Sequence, residues 1–524
     1  MNKAGDASRE RSSATLTSFN PAIGEVREEI PADSPAGVRD AVELARKVAY
    51  EWATIPPQDR AGMLREVRHR IHRRLDDIVE TVAAECGKPR AEALAHDVVP
   101  AAMTLMYYER TAPKALRKRR IGRVASTLTG MSSVLEWRPY GVVGCISPWN
   151  YPFHLSFMAM APALFAGNTV VLKPSEVTPA VGEIIREVLE PLPVGVATVV
   201  QGGGDVGAAL VDAPCDKIAF IGSPATGRKI AAAAAKHLTP VVMELGGMDA
   251  AIVCSDADLD VASSGIVWGG FFNAGQTCCS IERCYVVDSV ADEFIAAAID
   301  KLQRVKCGGR DCEIGAITAG RQLEVVKRHV EDAVAKGARV LTGGEAIDGP
   351  GRWFQPTIID GVTEDMDVLK EETFGPVLPI LRVRDEDAAV RRANSDGFNL
   401  TASVWTKDKT KGRRVAARLE AGSVSINDHG AAAGVPWAPW GGVGESGYGR
   451  LGRTEGLFEF VAPVHVGRSL TPGLKRLWWY PYDESTEAAL RGIATLVTSP
   501  SLSKRAGAAR DITRHAWRAV KEKI

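Results

Sequence analysis

The spacing of hydrophobic residues changes along the chain and predicts where helices give way to strands. Over residues 36–120, apolar positions recur three or four residues apart, as they do on one face of a helix. The two clearest stripes comprise Val38, Val42, Leu44 and Ala45, and then Met63, Leu64, Val67, Ile71 and Leu75. From residue 124 to 137 the pattern becomes strand-like, with polar residues between the apolar ones. These patterns predict a helical region followed by a small β segment.

From Gly141 onward, short apolar runs alternate with amphipathic stretches. The first runs read GVVGCIS, NTVVLKP, ATVVQGGG, KIAFIGS and PVVMELGG. A second set includes AAIVC, RCYVVD, VLPILRV and GSVSIN. Apolar strands that alternate with helices are typical of parallel sheets covered on both faces. The pattern therefore predicts an α/β protein with two doubly wound, Rossmann-like parallel-sheet domains, in addition to the small β segment.

The same changes in pattern divide the chain into regions. We expect a flexible N-terminus at 1–18, a first domain at 19–121 and 138–245, a second domain at 246–445, a β segment at 122–137 and 456–467, and an extension at 468–524. The extension carries eleven Lys and Arg against five Asp and Glu, a net charge of +6. Near its start lie four closely spaced aromatic residues, Trp478, Trp479, Tyr480 and Tyr482. Such a segment lies at a membrane surface in some proteins and packs on its own protein in others.

Composition and charge limit the class of protein. Of the 524 residues, 45% are hydrophobic and 24% charged, and 64 basic residues balance 64 acidic ones, which argues against a nucleic-acid-binding protein. The polar segment Met1–Ser18 does not resemble a secretory signal, and the apolar stretch Leu155–Ala166 is too short to span a bilayer. The nine cysteines form no CxxC pair or Cys/His zinc spacing. We therefore expect a cytoplasmic protein without a metal site.

The sequence FFNAGQTCCSIER at 271–283 offers a candidate nucleophile. Cys278 follows a tight turn, where free backbone N–H groups can stabilise a thiolate and then an oxyanion. An isolated intracellular cysteine is more often a buried core thiol. The interpretation of Cys278 therefore depends on the motifs that accompany it.

Two further motifs place polar side chains at strand ends. MELGGMDA at 243–250 puts Glu244 at the end of an apolar run, where an acid is costly unless it is exposed, paired or functional. ISPWNYP at 146–152 puts Asn150 just after another strand, and a neutral amide suits a developing oxyanion. Taken singly, they could be a solvated acid and a turn residue. Beside Cys278 they favour catalysis.

Together these motifs resemble those of the aldehyde dehydrogenase superfamily, and the resemblance runs from about Phe19 to His465. It implies that Cys278 forms a thioester, that Glu244 activates the water that hydrolyses it, and that Asn150 and the Cys278 amide form the oxyanion hole. Members that transfer the acyl group to coenzyme A generally lack this acid, so a free carboxylic acid is the expected product. The chain departs from the family pattern at Met248, where lysine is usual.

The resemblance also implies a dinucleotide cofactor. No GxGxxG follows a strand; instead KPSE at 173–176 and FIGSPATG at 220–227 are similar to the family's own version of the site. Lys173 and Glu176 would lie at the adenosine ribose, which favours NAD and leaves NADP open. The residues expected to bind the cofactor are Ile146, Ser147, Pro148, Trp149, Lys173, Ser175, Glu176, Gly204, Phe220, Gly222, Ser223, Gly227, Leu245, Glu372 and Phe374.

The identity of the aldehyde is less well defined. Family members that oxidise succinic semialdehyde hold its carboxylate with two arginines, and this chain has Met158 and Phe272 at those places. Because an unpaired carboxylate would be poorly accommodated there, we expect an apolar substrate, aromatic or long-chain. The expected pocket residues are Phe153, Phe157, Met158, Phe272, Thr277 and Cys279. Several of them could face the core instead.

Two alternatives stay open at this point. One is a succinate-semialdehyde dehydrogenase, because some relatives with that name share the NAGQxCxSIER pattern. The other, from a different class, is an inactive binding or structural protein on the same fold, which the intact set of Cys278, Glu244 and Asn150 disfavours. The family resemblance further implies a homodimer or homotetramer, joined through the β segment at 122–137 and 456–467.

Overall fold

The computed structural model describes residues 10–122, 130–309, 311–395, 397–473 and 475–521. The chain divides into two compact units. The first comprises Met1–Leu116 and Arg138–Ala462, and the second comprises Arg117–Trp137 and Pro463–Ile524.

The helices fall mainly in the first unit, and the last two belong to the second. They are α1 (Pro35–Thr54), α2 (Pro57–Arg73), α3 (Leu75–Cys86), α4 (Val99–Ala115), α5 (Pro152–Ala166), α6 (Pro179–Leu189), α7 (Gly204–Asp212), α8 (Pro224–Ala235), α9 (Leu259–Phe271), α10 (Asp288–Leu302), α11 (Gly320–Ala335), α12 (Glu386–Ala393), α13 (Lys409–Ala416), α14 (Arg453–Phe458), α15 (Glu484–Thr498) and α16 (Leu502–Lys521). Shorter helical segments are Arg90–Glu92, the π-helical Ala93–Val98, and the 3-10 turns Phe272–Gly275, Asp367–Leu369 and Ala431–Gly434. Among the described helices, none is long and apolar enough to cross a membrane.

The strands build two large sheets and several small ones. They are β1 (Arg11–Asn20), β2 (Glu25–Asp33), β3 (Arg119–Ile121), β4 (Met131–Pro139), β5 (Val142–Ile146), β6 (Thr169–Lys173), β7 (Ala197–Val199), β8 (Lys217–Ile221), β9 (Val241–Glu244), β10 (Asp249–Val253), β11 (Ile281–Val287), β12 (Arg339–Thr342), β13 (Ala346–Ile347), β14 (Trp353–Phe354), β15 (Thr357–Asp360), β16 (Val377–Val383), β17 (Phe398–Asn399), β18 (Thr401–Trp405), β19 (Ser423–Ile426), β20 (Val443–Gly444), β21 (Gly447–Tyr448) and β22 (Val461–Ser469).

The N-terminal sheet has the strand order β21-β9-β8-β5-β6-β7. Its strands are parallel except for the edge strand β21, which runs antiparallel to β9. All residues of β5, β6 and β8 are buried, as expected where helices pack on both faces. Helix α5 is buried at every position, so its uniformly apolar sequence belongs to the core.

The C-terminal sheet has the order β12-β15-β16-β11-β10-β18-β19, with β12 as its antiparallel edge. Alternate residues of β10 enter different hydrophobic clusters. Ala250 and Ile252 pack into one, and Ala251 and Val253 into the other. Because side chains alternate between the faces of a strand, both faces of this sheet are covered by apolar side chains.

The second unit contains a three-stranded sheet of order β22-β4-β3 and the helix pair α15 and α16. Its small core includes the buried residues Leu477 and Ala489. Ile493, Ala516 and Val520 pack against them from the two helices.

The predicted fold class is confirmed, because the chain is an α/β protein with two parallel-sheet domains. Two boundaries differ from the sequence-based expectation. Residues 11–18 are not a flexible segment, because β1 starts at Arg11 and pairs with β2. Residues 453–458 form a helix of the first unit, so the strand of the small sheet starts only at Val461. Residues 123–129 of the predicted β segment lie outside the described residues.

Candidate active site

The three candidate catalytic side chains line one cavity of about 690 Å³. Asn150 follows β5 and Glu244 ends β9, so both lie at the carboxyl edge of the N-terminal sheet, where open α/β sheets bind ligands. Cys278 lies between α9 and β11. The topology therefore brings together residues that are separated by up to 128 positions in the sequence, the distance from Asn150 to Cys278.

The loop before Cys278 has an unusual backbone. Asn273, Ala274 and Gly275 have φ angles of 52°, 54° and 70°, all in the left-handed region. A Cβ atom at Gly275 would lie 2.1 Å from the carbonyl oxygen of Gly375, so only glycine fits there. The Gln276 side chain donates to the Asn273 carbonyl at 2.9 Å. Such strain persists only where surrounding contacts fix it, and it is common at functional sites.

Asn150 is held by hydrogen bonds to that loop. Its Nδ2 donates to the Gln276 carbonyl at 3.1 Å. Its backbone carbonyl accepts from Asn273 Nδ2 at 3.1 Å and from Lys88 Nζ at 2.6 Å. Since an amide group carries two N–H hydrogens, the second can donate to an oxyanion. The geometry suits the role predicted for Asn150.

Glu244 is 3% exposed. Burial raises the pKa of its carboxyl to about 8, although the Trp440 indole and the Arg450 guanidinium oppose this shift. Within the part of the chain that the structure describes, Glu244 Oε1 is buried without a hydrogen-bond partner. The group is thus mostly a neutral acid at pH 7 and becomes a base as the pH rises through 8.

Cys278 is partly exposed to the cavity, whereas Cys279 is buried. Contact with the Cys279 thiol and burial raise the pKa of Cys278 well above its usual range, and the negative charge of Glu244 adds to this. The carbonyl of Cys279 accepts from His429 Nε2 at 2.6 Å, which anchors the loop on its far side. Cys278 is therefore a neutral thiol at rest.

The cavity extends along the cofactor side of the N-terminal sheet. Almost all of the residues predicted to bind the cofactor line it, namely Ile146, Ser147, Pro148, Trp149, Lys173, Ser175, Glu176, Gly204, Phe220, Gly222, Ser223, Leu245, Glu372 and Phe374. Gly227 instead allows close packing, because a Cβ there would lie 2.7 Å from Leu245 Cδ2. Sequence reasoning missed other lining residues, among them Leu155, Thr226, Lys229, Arg321 and Gln322.

The residues predicted to bind the ribose and the phosphates of the cofactor have the charge and the hydrogen-bonding groups that such contacts require. Lys173 Nζ pairs with Glu176 at 2.6 Å. Partial burial would raise the pKa of Glu176, but Lys173 lowers it below its usual value and keeps the carboxylate ionised. Ser223 caps helix α8, whose N-terminus faces the cleft and can receive a phosphate group. These residues fit a dinucleotide.

A buried acid that sequence reasoning missed fixes the turn carrying Phe374. Glu282 accepts from the backbone N–H groups of Thr373 and Phe374, each at 2.8 Å. Phe374 has a φ of 47° and lies edge-on to Trp149, with ring centroids 5.4 Å apart. Burial raises the pKa of Glu282 to about 7. The signal was present in the sequence, since Glu282 and Arg283 are two charged residues in a strand whose other positions are Ile, Cys, Tyr and Val.

The residues predicted for the substrate pocket fall into two groups. Phe153, Phe157 and Met158 are buried on α5, with the two phenyl rings 5.0 Å apart. Thr277 Oγ1 lies 2.6 Å from the Tyr151 hydroxyl, and Thr277 immediately precedes Cys278. Contact of these residues and Cys279 with the substrate stays a prediction.

Phe272 belongs to an aromatic cluster that sequence reasoning did not anticipate. Its ring stacks on Trp268 at a centroid distance of 4.5 Å and lies 5.7 Å from His96. His96 also lies 6.2 Å from Tyr151, and burial lowers the pKa of its imidazole to about 4. We call His96, Tyr151, Trp268 and Phe272 the aromatic cluster. It carries no charge at neutral pH and flanks both Asn150 and the loop of Cys278.

The fold and the cleft define a dinucleotide-dependent oxidoreductase. Residues 8–466 match the sequence profile described as the aldehyde dehydrogenase family. The chain belongs to the aldehyde dehydrogenase family, and it is an NAD(P)-dependent aldehyde dehydrogenase.

Relatives with curated names support this conclusion. The chain is 38% identical to "4,4'-diapolycopene aldehyde oxidase" of Methylomonas sp over 488 residues, which cover 92% of this chain and 91% of that protein. It is also 38% identical over 451 residues to a protein of Mycolicibacterium smegmatis named "Putative succinate-semialdehyde dehydrogenase (NADP(+))", covering 84% and 86%.

A solved structure agrees with both the fold and the cofactor. The Mycobacterium tuberculosis aldehyde dehydrogenase complexed with NAD+ is 33% identical, with a TM-score of 0.83. The match covers 87% of this chain and 95% of that one. The prediction of NAD as cofactor, with NADP open, is thus confirmed at the level of the family.

Replacing Glu282 tests how the Phe374 turn is held. Glu282→Gln leaves one acceptor oxygen for two backbone donors, so we expect the NAD dissociation constant to rise about tenfold, or ~1.4 kcal/mol. Titration of tryptophan fluorescence with NAD measures it. Glu371→Gln is the matched control, because Glu371 is an exposed acid near the same turn that pairs with Arg328. Equal affinities of the two variants would contradict the role of Glu282.

Proposed function

We propose that Cys278, Asn150 and Glu244 catalyse the oxidation of an aldehyde, with NAD(P) as the oxidant, in two stages. In the first, the Cys278 thiol loses its proton to solvent through the cleft, and the thiolate sulfur bonds to the aldehyde carbon. The carbonyl oxygen becomes an alkoxide, which accepts hydrogen bonds from Asn150 Nδ2 and the Cys278 amide. Bound in the cleft lined by Glu372 and Phe374, NAD(P) would supply the acceptor for a hydride from that carbon. Loss of the hydride leaves a thioester on Cys278.

In the second stage Glu244 acts on water. Its ionised carboxylate takes a proton from the water molecule that attacks the thioester carbonyl. The carbon–sulfur bond then breaks, the carboxylic acid leaves, and Cys278 returns as the thiolate or thiol. The single observation that best supports these two stages is that one cavity contains the thiol, the amide donor and a buried acid, one oxygen of which has no hydrogen-bond partner among the described residues.

Replacing Glu244 separates the two stages. With Glu244→Gln we expect one equivalent of NADH per site in a fast phase, followed by steady turnover slowed about 100-fold or more. In the unchanged protein, steady turnover should rise as the pH passes through about 8, because the base form of Glu244 then predominates. Stopped-flow absorbance of NADH measures both phases. Glu331→Gln, an exposed acid on α11, is the control, and retained steady turnover in Glu244→Gln would refute the assignment.

We also propose that the substrate is an apolar aldehyde, aromatic or long-chain. The observation that supports this is the aromatic cluster beside Cys278, together with buried Met158, because neither contains a cation for a substrate carboxylate. The Lys88 ammonium, which lies over the Tyr151 ring, already pairs with Asp97. Aromatic rings favour flat or extended apolar groups through stacking and burial. The relative named "4,4'-diapolycopene aldehyde oxidase" bears a name consistent with such a substrate.

Succinic semialdehyde is the second candidate. It is favoured by the similarity to the Mycolicibacterium smegmatis protein and its counterparts in other mycobacteria, at 37–38% identity. For this substrate, the carboxylate would need a partner other than residues 158 and 272. The two candidates differ in charge at the end remote from the aldehyde, so kinetics distinguish them.

A panel of aldehydes tests the substrate class. We expect kcat/KM for benzaldehyde-type and long-chain aldehydes to exceed that for succinic semialdehyde at least about tenfold, or ~1.4 kcal/mol. Trp268→Ala should remove most of this preference, since its ring stacks on Phe272. Tyr50→Ala, at an exposed position on α1, is the control. A preference for succinic semialdehyde would show that the apolar assignment is wrong.

We further propose that the second unit mediates contacts beyond the protomer. Its three-stranded sheet is the part that the family resemblance links to a homodimer or homotetramer, and the solution mass from analytical ultracentrifugation tests this.

The extension at residues 468–524 is proposed to lie against a membrane. Trp478, Trp479 and Tyr480 are 42%, 47% and 68% exposed.

The last helix, α16, has a charge pattern suited to an anionic surface. On α16 the exposed residues that recur at helical spacing are Arg510, Arg514, Trp517 and Lys521. Basic residues attract anionic lipid, and tryptophan favours the bilayer interface. An enzyme held at the membrane would also meet lipid-derived aldehydes there. A cytoplasmic location otherwise stays an expectation.

Vesicle flotation tests the membrane proposal. We expect the protein to float with phosphatidylserine-containing vesicles, much less with phosphatidylcholine alone, and to be released by salt. Arg510→Glu with Arg514→Glu should abolish flotation and leave aldehyde oxidation in solution unchanged. Arg304→Glu with Arg384→Glu changes the charge equally on exposed residues of the first unit. Equal flotation of the two double variants, or none of the unchanged protein, would overturn the proposal.

A further inference from the structure

A buried lysine outside the three catalytic motifs contacts the oxyanion site. The Lys88 side chain is 1% exposed, and its Nζ donates to the backbone carbonyl of Asn150 at 2.6 Å. It also pairs with Asp97, whose side chain is 0% exposed, at 3.0 Å. Burying two charges is costly unless their geometry and hydrogen bonds compensate. A position that needed only packing would be better served by an apolar residue.

Lys88 reaches both sides of the oxyanion site. On one side it holds the Asn150 carbonyl. On the other, its Nζ lies 4.3 Å from the centre of the Tyr151 ring, a cation–π distance, and the Tyr151 hydroxyl lies 2.6 Å from Thr277 Oγ1. Thr277 immediately precedes Cys278. The Lys88 ammonium group therefore contacts Asn150 directly, and it is linked to Thr277 through the Tyr151 side chain.

Asp97 fixes the position and the charge of Lys88. Its Oδ1 accepts the N–H groups of Phe153 and His154 at 3.2 and 3.3 Å, at the N-terminus of α5. A carboxylate there is favoured by the helix dipole. Burial disfavours the ammonium form of Lys88, but Asp97 outweighs it and the pKa of Lys88 stands above its usual value. The ion pair is thus anchored to a helix that is buried along its whole length.

We propose that Lys88 is a positioning residue for the reaction. It holds the Asn150 side-chain amide and the loop that carries Cys278 where both can donate hydrogen bonds to the oxyanion. The inference rests on the proposed role of Asn150. Lys88 touches neither the substrate nor the reacting atoms in this account; it acts through Asn150 and Tyr151. A shift of about 1 Å in such groups is enough to cost on the order of 100-fold in rate.

A double-mutant cycle tests whether Lys88 acts through Asn150. The fast phase of NADH formation is measured for the unchanged protein, Lys88→Met, Asn150→Ala and the double variant. We expect Lys88→Met to slow this phase about 10- to 100-fold, with the aldehyde KM and the NAD dissociation constant changed less than about threefold. In the Asn150→Ala background, the same change should slow it less than about threefold.

Two further variants complete the test: one is a control, and the other replaces Lys88→Met if that variant does not fold. Lys411→Met is the matched control, because Lys411 pairs with Asp256 and Glu386 at 2.9 and 3.3 Å and contacts none of the catalytic residues in the described chain; it should leave the fast phase unchanged. If Lys88→Met does not fold, Asp97→Asn replaces it. Asp97→Asn can still accept from the α5 amides, removes the charge that holds Lys88, and should slow the fast phase at least about fivefold.

The outcomes distinguish this inference from the proposed function. Equal slowing by Lys88→Met in both backgrounds, or no slowing in either, would overturn the positioning role while leaving Asn150 in place. An Asn150→Ala protein with an unchanged fast phase would instead remove the oxyanion role itself, and the inference with it. Slowing confined to the background with Asn150 intact is the supporting result.

Discussion

The site depends on one structural constraint: a left-handed loop from the C-terminal domain must be held against the strand ends of the N-terminal domain. Hydrogen bonds between Asn150 and Gln276, and between Asn273 and the Asn150 carbonyl, join the two. Gly275 allows the contact with Gly375 that presses the loop in place. Because these bonds are buried, water cannot replace them if one is lost, so the thiol, the amide donor and the cofactor cleft are fixed together.

Burial also determines the charge states of the two acids near this loop, Glu244 and Glu282. Glu244 and Glu282 are both held with raised pKa values, near 8 and 7, because a carboxylate is poorly solvated there. Their tasks differ with their partners. Glu282 accepts two backbone N–H groups and shapes a turn, whereas Glu244 has an oxygen without a hydrogen-bond partner in the described chain. A buried acid with one oxygen left unpartnered is available for proton transfer, and one whose two oxygens both accept backbone N–H groups positions the backbone.

Local motifs in the sequence single out three side chains that line one cavity in the structure, and their catalytic roles stay predictions. Glu244 ends an apolar strand and Asn150 follows another, and parallel strands bring such ends together, whereas Cys278 lies on the loop between α9 and β11. The aromatic cluster could not be predicted in the same way, because His96 and Trp268 come from helical regions 172 positions apart and meet only in the fold. Strand β1 was missed because its sequence is mostly polar, and its pairing with β2 outweighs that local pattern.

The raised pKa values of Cys278 and Glu244 suggest how one small cavity can support two steps in order. Charge on either group opposes charge on the other, since the interaction between two titrating groups is reciprocal. A neutral Glu244 therefore makes it easier for Cys278 to ionise and attack. Once the sulfur is acylated it no longer carries charge, so a thiolate at Cys278 no longer opposes ionisation of Glu244, although burial still raises the pKa of that carboxyl. In the proposed mechanism the Cys278 thiolate and the Glu244 carboxylate are therefore needed at different stages, and the cavity need not hold both charges at once.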